Sequence, residues 1–197
     1  SGIVSSANSL VGTTSNDSVG NLGVSELPSG HACVRISNWD NGSEVNAGAV
    51  AFINGHTGTT GPVSAANSLI GNKTADLSLV TIHVLTNGNY VIRAPAWDNG
   101  STADVGAVIW GSGSTGVKGT ISASNALIGS TAGDAVGDTS LTQLTNGHYV
   151  VRSTAWVNSG QANAGAVTWG NGYTGTVGVV STLNSIVGAV ANDRIGS

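Results

Sequence analysis

Asn8-Ser-Leu-Val-Gly12 returns three times in this sequence, as Asn67-Ser-Leu-Ile-Gly71, Asn125-Ala-Leu-Ile-Gly129 and Asn184-Ser-Ile-Val-Gly188. The steps are 59, 58 and 59 residues. A fixed period of this size signals a modular architecture, because so short a unit buries its apolar faces only by stacking on its neighbours. The period divides a single expected domain, 1–197, into repeats 8–66, 67–124 and 125–183 and a partial copy, 184–197. Residues 2–20 also align without a gap on residues 178–196. Gly2, Val4, Ser5, Asn8, Ser9, Val11, Gly12, Asn16, Asp17 and Gly20 are unchanged in the second copy. One segment is therefore present twice. If the repeats close on themselves, the two copies compete for one place, and the loser must pair with something else.

Within a period the pattern is that of short strands. Leu79-Val-Thr-Ile-His-Val-Leu85 is a β-type run, and Thr86-Asn-Gly88 is a hairpin turn signal, since Asn and Gly tolerate positive φ. Asn89–Ala94 is a second strand, ended by Pro95-Ala-Trp-Asp-Asn-Gly100, whose Asp-Asn-Gly is loop chemistry. Gly106–Gly111 is a third, and Gly119–Gly129 a fourth that is open to interruption. No useful length shows a helical period. The expectation is an all-β protein of three four-stranded antiparallel units, arranged like propeller blades. A β-prism or a β-trefoil-like threefold arrangement is the alternative.

Charged residues make up 8% of the chain, against roughly 25% in an average soluble protein. The net charge of −4, with lysine only at Lys73 and Lys118, gives no footprint for nucleic acid. Weak charge repulsion suits self-association. No stretch is apolar enough to span a membrane as a helix. The chain opens inside the repeat pattern, with no leader-like segment, as a processed or excised product would. The single cysteine, Cys33, excludes an intrachain disulfide and reads as a small strand-core hydrophobe. N-x-S/T sequons stand at Asn16, Asn41, Asn72 and Asn99.

Asn67–Gly71, Asp134–Gly137, Leu85–Ile92, Trp97–Gly100 and Gly165–Gly172 together resemble a tandem repeat of bacterial surface proteins of haemagglutinin or adhesin type. The resemblance covers essentially the whole chain. It implies a propeller-like fold and an extracellular or cell-surface location, and no particular activity. Repeat one departs from it at Ala51–Asn54, and repeat three at Trp156–Ser159.

Three sets of residues invite a function. Asp17, Asp76, Asp134 and Asp193 share one repeat position, and Arg35, Arg93 and Arg152 another. Turn capping and hydrogen bonding between units explain both sets, because catalysis needs an asymmetric site that equivalent repeats do not supply. Trp39, Trp97 and Trp156 precede Asp40, Asp98 and an Asn-containing loop. Exposed, these indoles would stack on sugar rings while the Asp residues read hydroxyls. Buried, they would be packing residues. The Asp-Asn-Gly loops lack the ligand spacing of a calcium loop, and His31, His56, His83 and His148 lack metal-ligand spacing. No catalytic or metal site and no cofactor is expected.

The duplicated end supplies the leading functional expectation: a non-enzymatic module that associates with copies of itself by strand exchange. Gly2-Ile3-Val4-Ser5, or Val177, Val179, Val180 and Ser181 at the other end, would leave one unit and complete another. A head-to-tail exchange that does not close would make a filament. A lectin with one glycan site per repeat is the alternative.

Overall fold

The computed structural model describes residues 2–197; Ser1, the first residue of the expected domain, lies outside the described residues. Every regular element among them is a strand. In chain order these begin with β1 (Leu10–Val11), β2 (Val24–Glu26), β3 (Ala32–Ile36), β4 (Ala49–Ile53), β5 (Gly61–Pro62) and β6 (Ser68–Ile70). The next period supplies β7 (Thr81–Val84), β8 (Tyr90–Ala94), β9 (Ala107–Gly111), β10 (Gly119–Thr120) and β11 (Ala126–Ile128). The last supplies β12 (Ser140–Gln143), β13 (Tyr149–Ser153), β14 (Ala166–Gly170), β15 (Gly178–Val179) and β16 (Ser185–Val187). The chain is thus an all-β repeat protein.

Three larger sheets carry the same antiparallel quartet: β2-β3-β4-β6, β7-β8-β9-β11 and β12-β13-β14-β16. The hairpin expected at Thr86-Asn-Gly88 is present. Gly88, at φ +85, donates its N–H to the Leu85 carbonyl, and Leu85 donates to the Asn89 carbonyl at 2.7 Å. A residue without a Cβ penalty is required there.

The fourth expected strand is divided, and its first piece does something that alternation and turn signals do not encode. Gly119–Thr120 lies parallel to β6, an earlier strand, and only the second piece, β11, joins its own quartet. Likewise β15 lies parallel to β11, pairing Leu127 with Gly178 and Ile128 with Val179. β5 lies parallel to β1 in the same way. Two of the larger sheets therefore have five strands, β10-β6-β4-β3-β2 and β15-β11-β9-β8-β7. The third has four, and β1-β5 stands as a two-stranded sheet. The structural unit is also out of phase with the motif-based division at residue 8: each quartet begins in the middle of one motif period and ends in the next.

The contacts divide the described residues into two compact units, residues 2–80 with 112–120, and residues 81–111 with 121–197. The first holds the β1-β5 pair and the first five-stranded sheet. Its core joins Ile36, Trp39, Ala49, Ala51, Val63 and Ile70, with Leu10, Val19, Val34 and Ile53 packed against them. The second unit holds the other two larger sheets. There Val91, Val108, Leu127 and Val136 pack with Tyr149, Val151, Trp156, Ala166 and Val180. One face of the β7-β8-β9-β11 quartet is therefore covered by the opposite-facing residues of the next quartet. This is the stacking that a repeat too thin to hide both faces requires.

Candidate functional site

The aspartate position is a knot. Asp134 accepts backbone N–H bonds from Ser130 and Thr131, both at 2.8 Å, and from Val157 at 2.9 Å. The first two close its own turn. The third ties that turn to the residue after Trp156. Asp17 does the same with Thr13, Thr14 and Asp40. Burial alone would raise the Asp17 pKa. The hydrogen bonds from Thr14, Thr13 and Asp40 outweigh that penalty and hold it below the ordinary value. Asp193 makes only the local half of this pattern among its hydrogen bonds, to Ala189 and Val190, and is exposed.

Two of the three arginines at the shared repeat position also make structural hydrogen bonds. Arg93 donates to the Gly137 carbonyl at 2.6 Å and to His83 Nε2 at 3.1 Å. Arg152 binds the Ser140 hydroxyl. His31 and His148 each turn Nδ1 toward the start of a loop, accepting from Gly55 at 3.0 Å and Gly172 at 3.2 Å. Cys33 is buried on β3. Among the described residues no group of three or more His, Cys, Asp or Glu is placed to hold a metal ion. No helix among them is long and apolar enough to cross a membrane.

The three tryptophans are corrected as sugar-stacking residues. Trp39, Trp97 and Trp156 are 4%, 2% and 5% exposed, so none presents an indole face to solvent. Trp39 and Trp156 are members of the two cores. Asp40 and Asp98 serve turns instead, accepting from the N–H groups of Asn46 and Asp104 at 2.8 Å. The sequence left the burial of these indoles open because Trp before a polar loop satisfies both readings.

The residues placed for self-association separate into two unlike groups. At the carboxyl-terminal end, Gly178 and Val179 form β15, and Val180 is buried. At the amino-terminal end, Gly2, Ile3, Val4 and Ser5 occupy the equivalent positions but belong to no strand, and Ile3 is 91% exposed. Val177 is half-exposed and Ser181 half-buried.

One surface was not legible in the sequence. A groove of about 400 Å³ is lined by Val150, Val167, Trp169, Asn184, Ser185 and Ile186. Moving back one period, Val150, Val167 and Ile186 become Val91, Val108 and Leu127, which the next quartet buries. Ile186 is 71% exposed where Leu127 is 1% exposed. Trp169 follows the same logic. Its equivalent, Trp110, donates its indole N–H to the Gly172 carbonyl at 2.9 Å and lies under Gly175. Trp169 itself is 51% exposed. Among the described strands β16 also lacks the parallel neighbour that β1, β6 and β11 each have. The groove is thus built largely from the repeat equivalents of residues that are buried one period earlier.

No curated protein matches the chain. Residues 1–21, 26–78, 84–138 and 143–197 match one family, the first over a shorter stretch than the other three. These divisions follow the observed quartets more closely than the division at residue 8 does. The chain belongs to that family, which is described as a repeat of unknown function, DUF5650.

Proposed function

We propose that this protein is a non-enzymatic structural module, extracellular or on a cell surface, that associates head-to-tail with copies of itself through its duplicated end. One observation carries the reading. The β12-β13-β14-β16 sheet is one parallel strand short of its siblings, and the β1-β5 sheet consists of the last antiparallel strand and the parallel strand alone. What one lacks, the other carries. Burying an Ile side chain such as that of Ile186 contributes about 1.5–3 kcal/mol, and a row of such residues offsets part of the cost of association. The surface location rests on the scarcity of charge and on the resemblance to adhesin-type repeats. A filament follows if the rotation between copies does not close. A glycan-binding role would have to be built on residues other than the three buried indoles.

Light scattering across a concentration series tests the proposal. The intact chain is expected to grow in mass, while Ile186→Lys stays monomeric with an unchanged circular dichroism spectrum. A monomer at every concentration up to the millimolar range would remove the proposal.

A further inference from the structure

The proposed self-association leaves a question that the structure answers: which of the two duplicated segments gives way at a junction. We infer that the amino-terminal segment, residues 2–20, is a displaceable plug, and that β16 of a second copy takes its place beside β5. This inference rests on the self-association reading above.

The two segments are held very unequally. The carboxyl-terminal copy is fastened twice: β15 pairs with β11, and β16 pairs with β14 across three residue pairs. In the amino-terminal copy β1 is the one strand paired among the described residues, with β5 through Leu10–Gly61 and Val11–Pro62, and Asp17 adds a tie to the Asp40 N–H that the hydrogen bonds of Asp193 do not match. Residues 2–8 are exposed and in no strand. When two copies of one repeat segment compete for one site, the one with fewer backbone bonds is the one that exchanges.

The plug is also an incomplete cover. In the second unit Tyr149, Val151, Trp156 and Ala166 are covered by Leu127 and Val136 together with Val91 and Val108. In the first unit the corresponding face includes Val34, Trp39 and Ala49, and the plug brings Leu10 and Val19, the equivalents of Leu127 and Val136. It has no counterpart of Val91 and Val108. Val34 stays half-buried where Val151 is fully buried, and Val24, on the neighbouring strand, is exposed. The groove of a second copy carries the full set, with Val150 and Val167 beside Ile186, and Ile195 at the position of Val136. Replacing the plug therefore exchanges like for like at two positions and adds cover at two more.

A further pair of leftovers agrees. Gly175 lies on Trp110, and Gly116 on Phe52. Among the described residues their equivalents, Gly58 and Trp169, have no such glycine–aromatic partner: a Cβ on Gly58 would meet nothing within 4 Å, and Trp169, with His148 beside its ring, lines the groove half-exposed. Seating β16 of one copy against β5 of another brings these two residues to the same junction. Registers follow from β1: Ile186 opposite Gly61, and Val187 opposite Pro62.

The plug is thus autoinhibitory. A tethered competitor acts at an effective concentration in the millimolar range, so weakening it promotes assembly. The test combines mass measurement with hydrogen exchange on the intact chain at low and high concentration. Leu10→Ser, which loosens the plug at a half-buried residue, is expected to tighten association by on the order of tenfold. In wild type, residues 2–20 should lose protection as mass grows, while β16 gains it. If mass grows but 178–196 opens and 2–20 closes, the roles of the segments are reversed; self-association stands and the plug is wrong. If mass grows with neither segment changing, assembly uses another surface and the plug is again wrong. If neither wild type nor Leu10→Ser grows in mass, the self-association reading itself falls.

Discussion

The quartets β7-β8-β9-β11 and β12-β13-β14-β16 are the same object in two environments. Val91, Val108 and Leu127 on the first correspond to Val150, Val167 and Ile186 on the second. The chemistry is nearly constant, and the burial is not. The first set lies in a core, and the second lines an open groove. In a stacked repeat, a residue's contribution to stability is therefore set by whether the next repeat is present, more than by its own identity.

Paired substitutions test this most directly, measured by chemical denaturation at concentrations where the chain is monomeric. Leu127→Ala removes a fully buried side chain and is expected to cost about 2–5 kcal/mol, whereas Ile186→Ala should stay within about 0.5 kcal/mol. Equal costs would mean that the open face is already covered within one chain. The aspartates give the second pair. Asp134→Ala strands three backbone N–H groups and is expected to cost about 2–4 kcal/mol, while Asp193→Ala, which frees two exposed ones, should cost less than about 1 kcal/mol.

The glycines give a smaller contrast. Gly175→Ala would place a Cβ 2.9 Å from the Trp110 Cβ at φ +81, whereas Gly58→Ala at φ +77 meets open space. Both carry the strain of positive φ, so only their difference, about 1 kcal/mol in thermal unfolding, reports the contact.

The smallest expected effects are two pH dependences. Burial, and then the Arg93 guanidinium, lower the pKa of His83, whose Nε2 accepts from Arg93. A folded-state value below 6.5 means that the unfolded chain binds the proton first. Stability is full above pH 6.5 and falls as pH drops from there toward the lowered value. His83→Gln should flatten that part of the profile. Asp17 works in the same direction at lower pH. Its stabilisation is present above 3.8 and is lost as pH falls through its depressed value, and faster amide exchange at Thr13 and Thr14 would register it.

Much of the fold was legible in the sequence because repetition displays each signal several times. The Asn-Gly turn, the strands around Tyr90 and Val108, and the duplicated segment all follow from local rules acting over a few residues. The parallel pairing of β10 with β6 and of β15 with β11 did not. Two residues such as Gly119–Thr120 are too short for an alternation pattern, and their partner lies one period away. The burial of Trp39, Trp97 and Trp156 was also hidden, since an indole beside a polar loop suits a core and a binding surface equally.

The sequence by itself determined the repeat, the strands and the existence of two copies of one segment. Only the tertiary structure decided that those copies are held unequally, and that Val150, Val167 and Ile186 form an open face. The reason is that burial and backbone pairing depend on which neighbour is present, and a residue's own identity does not state this.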